Sequence, residues 1–290
     1  MVEPSRENDV SEFEIFVDGV DFGEGPRWHD GALWYSDFYQ HSVYRVDDTG
    51  RREVVVQVEN QPSGLGWLPD DRLLMVSMLD RRVLRREHDG ALVEHADLSK
   101  VAEYHCNDMV VAADGTAYVG NFGFDLHAGG MDAFTPATLA LVRPDGTVEA
   151  AADDLWFANG SVITPDGSTL IVGETFAGRY SAFTIADDGT LHDRRVWAEV
   201  PGTAPDGCAA DAEGAIWFAD AAGRQVIRVR EGGEVTHTLP TGAGTFACAL
   251  GGPAGDQLYV LTAAGATPDE VAGTGSGAIL VTTVPVPAVL

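Results

Sequence analysis

Residues 22–36 read Phe22-Gly23-Glu24-Gly25-Pro26-Arg27-Trp28-His29-Asp30-Gly31-Ala32-Leu33-Trp34-Tyr35-Ser36, and their pattern decides the fold. A polar anchor, Glu24, is followed by an Asp-Gly turn at Asp30-Gly31 and then by the β-rich run Leu33-Trp34-Tyr35-Ser36. Asp-Gly pairs favour tight hairpin turns, and aromatic and branched residues favour strands. The pattern returns along the chain with anchors Ser63, Asn107, Asn159, Asp206 and, more weakly, Ala247. Anchors at 24, 63, 107, 159, 206 and 247 lie 39, 44, 52, 47 and 41 residues apart. Between them, further alternating runs such as Ser42-Val43-Tyr44-Arg45-Val46 enter their own Asp/Gly turns. Repeats of about 40–50 residues with several strands each mark a β-propeller.

The sequence therefore predicts an all-β, six-bladed propeller in a single domain over residues 13–290, with residues 1–12 as a flexible tail. An open sheet edge invites association. Closure is expected from residues 13–17 and 278–282, which would share the last blade. Glycine and proline content agrees with many short strands and turns, at 34 and 14 residues of 290.

The net charge of −27 and the lack of a basic stripe exclude a nucleic-acid partner. No apolar run is long enough for a membrane helix, so no membrane association is expected. The polar, acidic start lacks the apolar core of a secretory signal. Cys106, Cys208 and Cys248 form an odd set without a CxxC pair, which suits buried, reduced thiols and a cytoplasmic location. Most of the acidity reads as a solvated surface, with attraction for cations as the other reading.

In a propeller, equivalent positions of successive blades converge on the central channel. Glu24, Asn107, Asn159 and Asp206 would thus bring two carboxylates and two amides together. That oxygen-only set suits a hard dication such as calcium or magnesium. Asn-Gly and Asp-Gly pairs also occur simply as turns, but turn chemistry does not select glutamate. The glycines flanking Glu24 are read as letting a ligand come close to the backbone. Asn121 and Asp125, with His127, follow the third repeat's strand and are expected to face the pocket entrance. The loop over residues 125–134 is read as a lid at one mouth.

The segments Gly23-Glu24-Gly25-Pro26-Arg27-Trp28, Asn107-Asp108-Met109, Asn159-Gly160-Ser161 with Pro165-Asp166-Gly167, and Pro205-Asp206-Gly207 carry a specific resemblance. In this order they resemble the senescence-marker-protein/gluconolactonase/luciferin-regenerating-enzyme-like family, which includes the regucalcin-like sugar lactonases. The resemblance covers about residues 20–260 and implies six blades and lactone hydrolysis. It implies a divalent metal held by Glu24, Asn159 and Asp206, with Asn107 close to substrate or metal. It also casts Asp206 as the base. Two residues before the third anchor, regucalcin-like proteins carry a substrate-contacting arginine, where this chain has His105. An imidazole is shorter and titrates near neutrality.

The expectation is thus a divalent-metal-dependent hydrolase opening a small lactone by attack of water. Its metal ligands are Glu24, Asn159 and Asp206, its catalytic groups Asp206 and His105, and its substrate contacts Asn107, His105, Asn121 and Asp125. Calcium is favoured, with magnesium, manganese or zinc open. One alternative uses the same pocket for organophosphate or ester hydrolysis, or for a biosynthetic ring opening or epimerisation. Another is a non-catalytic propeller whose metal only stabilises the channel.

Overall fold

The computed structural model describes residues 12–126 and 130–289. They form six four-stranded antiparallel sheets arranged as the blades of a propeller. In the first blade, strands Gly23–His29, Ala32–Asp37, Ser42–Val46 and Arg52–Gln57 run outward from the axis as a meander. The inner strands of the other blades are Pro62–Trp67, Cys106–Val111, Ala158–Ile163, Pro205–Ala210 and Gly244–Gly251. Tight turns with glycine at positive φ, such as Gly31 (φ 69) and Gly167 (φ 72), join inner strands to their neighbours.

The expected closure is present. The last blade takes Glu14–Val20 as its outermost strand, paired antiparallel with Gly277–Thr283 through Ile15↔Leu280 and Val17↔Ile279. The expected flexible tail falls, apart from residue 12, outside the described residues.

The core is distributed between blades rather than gathered at one centre. Leu33, Tyr35 and Val46 of the first blade pack on Ala249, Tyr259 and Leu261 of the last. Trp28 stacks on Tyr259 at 5.8 Å between ring centroids. Such sheet-on-sheet packing buries one face of each blade against the next. Cys106, Cys208 and Cys248 are unpaired and buried. Helix is almost absent, and among the described residues no helix is long and apolar enough to cross a membrane.

The anchor glycines have a different task from the one their sequence context suggests. A Cβ on Gly25 would sit 2.8 Å from the Ser63 carbonyl oxygen of the next blade. On Gly64 it would sit 2.2 Å from Met109 N, and on Gly160 2.4 Å from the Asp206 carbonyl oxygen. A Gly207 Cβ would meet the Ala247 Cβ at 2.7 Å. At four of the six inner strands glycine therefore lets the strand close onto the next around the axis, rather than making room for a ligand.

Candidate functional site

Five anchors occupy the second position of their inner strands: Glu24, Ser63, Asn107, Asn159 and Asp206. Every inner strand shifts register at or beside its anchor, as between Glu24 and Arg27, Ala158 and Ser161, or Pro205 and Cys208. In the last blade the shift lies between Thr245 and Ala247. A bulge adds a residue, bends the strand and re-aims a side chain. Repeated around the axis, it collects the anchor side chains in the channel.

Glu24, Asn107, Asn159 and Asp206 are all buried, with 4%, 5%, 4% and 7% of their surface exposed. Burial pushes the Glu24 carboxyl well above its usual range, and the nearby charges of Asp206 and Asp108 push it further; the Gly25 N–H and Arg27 oppose them. Burial likewise pushes Asp206 well up, and the Asp108 charge adds to it, against a hydrogen bond from the Asn159 amide. Asp206 is thus in electrostatic reach of Glu24 and in hydrogen-bonding reach of Asn159.

Asn159 is held on one side only. Its Nδ2 donates to Thr175 Oγ1 at 3.2 Å, and Thr175 Oγ1 donates in turn to the Pro205 carbonyl at 2.7 Å, next to Asp206. Asn159 Oδ1 is buried and has no hydrogen-bond partner. Ser63 Oγ, on the second anchor, is in the same condition. Native interiors rarely leave polar atoms this way, because an unmet donor or acceptor costs about 1–3 kcal/mol.

The fit to a divalent cation can be judged from these groups. Two carboxyls under mutual repulsion and an orphaned amide oxygen form an all-oxygen donor set with the charge to balance a dication. Among the described residues, no three His, Cys, Asp or Glu side chains form a metal-holding group by themselves. The candidate centre depends on the amide of Asn159, and with it the donor set fits.

Two neighbours were not singled out from sequence. Asp108, 3% exposed, accepts from Arg27 Nη2 at 2.7 Å and from Met109 N at 2.8 Å. Arg27 also donates to the Met109 carbonyl, tying the first blade to the third. Arg27 lines a cavity of about 400 Å³ with Ser161, Cys208, Ala249 and Val289. The sequence held a signal: the third anchor is the one polar anchor followed by aspartate instead of glycine or by no glycine at all.

The other expected substrate contacts separate. His105 lies half-buried two residues before Asn107, stacked on Tyr104 at 4.0 Å and 5.9 Å from Phe122. Asp125 is half-buried and hydrogen-bonded by Tyr104, whose hydroxyl pKa is raised by burial first and by that contact second. Asn121 is taken up within its blade, Nδ2 donating to the Thr138 carbonyl at 2.6 Å and Oδ1 accepting from Gly123 N at 2.9 Å. It stands where Asp37 and Asp220 stand in their blades, each accepting backbone N–H groups of the adjoining loops. Its polarity is accounted for by the turn. His127 lies outside the described residues, as do residues 128–129; the rest of that loop packs Leu126 and Phe134 against an aromatic cluster at the same end of the propeller.

Residues 22–264 match the family model for the SMP-30/gluconolactonase/LRE-like region. The pentonolactonase XacC of Haloferax volcanii is 30% identical over 271 residues, 89% of each chain. Among solved structures, a gluconolactonase from Xanthomonas campestris superposes with a TM-score of 0.77 at 24% identity, covering 97% of this chain and 91% of that one. Regucalcin from Agrobacterium tumefaciens, described as a calcium-binding protein, superposes at 0.79 and 21% identity over 97% and 96%. Both share the propeller fold. Matched by the family model over most of its length, this chain belongs to the SMP-30/gluconolactonase/LRE-like family.

Proposed function

We propose that the protein is a lactonase using one divalent cation, calcium foremost, held by Glu24, Asn159 and Asp206. One observation carries this reading above all: two buried carboxyls, pushed up by burial and by the charge of nearby aspartates, beside an amide oxygen with no partner. Support also comes from the family and from the pentonolactonase relative.

When bound, the cation would polarise the lactone carbonyl and acidify water. The chain's residues do the rest. Thr175 fixes the Asn159 amide so that Nδ2 is engaged and Oδ1 is left free for the channel. Arg27 holds Asp108, keeping that third carboxylate paired and out of the donor set. Asn107, buried on the third inner strand beside the other anchors, offers its amide to the substrate. Water adds to the carbonyl carbon, the ring C–O bond breaks, and the ring oxygen takes a proton to give a hydroxy acid. Asp206 on the floor and His105 on the rim are the titratable groups for those proton transfers.

The test strips the protein with chelator, resupplies calcium, magnesium, manganese or zinc singly, and follows acid release from a broad lactone panel. Turnover restored by at least one cation is expected. No hydrolysis of any lactone under any of the four ends the reading.

A further inference from the structure

The channel end that carries the anchors has two layers of opposite character. The floor consists of Glu24, Ser63, Asn107, Asn159 and Asp206, and its Ser63 Oγ and Asn159 Oδ1 lack partners. The layer above is set by the positions just before each inner strand and just after the strand paired with it. Backbone bonds mark these positions as equivalent: Phe38 N donates to the Phe22 carbonyl at 3.0 Å, Met78 N to Gln61 at 2.9 Å and Phe122 N to His105 at 2.9 Å. In the fourth blade Thr175 N donates to Phe157 at 3.1 Å. The polar members of this layer include Gln61 and His105; its apolar members are Phe22, Phe38, Met78, Phe122 and Phe157, joined by Phe246 from within the last inner strand.

These six belong to one apolar cluster, yet each keeps 4–9% of its surface exposed, whereas blade-core residues such as Leu33, Leu74 and Val172 keep none. The rings form two groups. Phe22 lies 5.2 Å from Phe38 and 4.6 Å from Phe246; Phe122 lies 4.5 Å from Phe157. No aromatic pair among the described residues joins the groups, and the fifth blade contributes only Ala204 and Ala221 at the equivalent positions. Phe157 holds a left-handed backbone (φ 64), unusual for a bulky residue. Several polar groups of this layer are spoken for: Thr175 by Asn159 and Pro205, Thr245 by Thr241 and Ala243, Asn121 by its own blade.

The geometry points to a lactone with an apolar, flat or aromatic body as the substrate class, its ester group on the oxygen floor and its body between the two phenylalanine groups. This rests on the lactonase reading. A polyhydroxylated lactone would find hydrogen-bonding groups only toward Gln61 and His105 and would place its other hydroxyls against rings that cannot hydrogen-bond them, and buried hydroxyls without partners bind poorly. A phenyl or alkyl body loses nothing there and gains stacking against ring faces.

The test compares pairs matched in ring size. Calorimetry on calcium-saturated protein measures two lactams that cannot be hydrolysed as lactones, 5-phenyl-2-pyrrolidinone and a polyhydroxylated γ-lactam. The phenyl lactam is expected to bind at least about tenfold tighter, and equal or reversed affinity overturns the inference. In parallel, γ-phenyl-γ-butyrolactone and ribono-γ-lactone are compared as substrates, each normalised to its uncatalysed rate. Hydrolysis that favours ribonolactone overturns the apolar class and leaves the lactonase reading standing. Hydrolysis of neither counts against the lactonase reading, which the broad panel decides, while the lactam pair still judges the rim. Phe246→Ser and Phe122→Ser should each weaken the phenyl lactam several-fold and leave the polyhydroxylated lactam unmoved. Should either fail to fold, the wild-type pair decides.

Discussion

Two clusters of buried carboxylate behave in opposite ways. Glu174, fully buried in the fourth blade, accepts from Arg179 Nε and Nη2 at 2.9 Å each, from Ser181 Oγ at 2.5 Å, from Trp156 N at 3.0 Å and from Arg194 Nη2 at 3.1 Å. Burial alone would raise its pKa; the Arg179, Ser181 and Trp156 hydrogen bonds outweigh it and hold the carboxyl below its usual range. Glu24 and Asp206 are buried to nearly the same degree, face each other and Asp108, and are raised. Burial is common to both, so partners decide. A carboxylate that has its cations within the fold holds the fold together, and in the proposed reading a pair that lacks them takes one from solution.

The comparison can be broken at four points. Glu174→Gln leaves two arginines beside an amide and should destabilise the protein by about 3–5 kcal/mol, read by denaturant unfolding; an unchanged midpoint would remove Glu174 as the structural pole. Asp206→Asn should lower kcat/KM for the best lactone at least about 100-fold without lowering the melting temperature of chelated protein. Destabilisation like that of Glu174→Gln would make the two clusters alike. Gly160→Ala drives a methyl into the Asp206 backbone and should cost about 1–3 kcal/mol, weakening calcium binding in the same calorimetric titration; unaltered affinity would separate strand closure from the site.

The smallest effect is in pH. Glu24 and Asp206 have raised native pKa values, so the native state keeps protons that the unfolded chain releases above the ordinary carboxylate range. Stability of chelated protein should therefore fall as pH rises from about 4.5 toward the raised values, and Glu24→Gln should flatten that slope. Glu174, held low, has the opposite sign: its contribution is present above the ordinary range and lost as pH falls through its native value. Thermal melts from pH 4 to 8, in wild type and Glu24→Gln, read the difference; equal slopes would deny that Glu24 is held protonated.

The blade count, the closure and the convergence of Glu24, Asn159 and Asp206 were legible because each depends on spacing, which a sequence displays. The bulges at the anchors were not, because these inner strands are buried on both faces around the anchor and show no alternation for a shift to interrupt. The glycines were visible, but their purpose was not: Gly64 reads as a turn residue until Met109 N of the third blade is found against it. Asn121 was read as following its strand and is the strand's last residue, and its amide bonds to Thr138 and Gly123 depend on loop conformation. Arg27 and Asp108 lie 81 residues apart and meet only because the first and third blades share the axis.

The strand Glu14–Val20 completes the last blade from the opposite end of the chain. Glu24 follows it directly, while Asp206 lies beyond three intervening blades, and the last blade stands between them on the other side. During synthesis the ring therefore stays open until residues 277–283 have left the ribosome and found the partner made first. The oxygen floor is among the last features to assemble, so cation uptake would report that a chain has been finished and joined end to end.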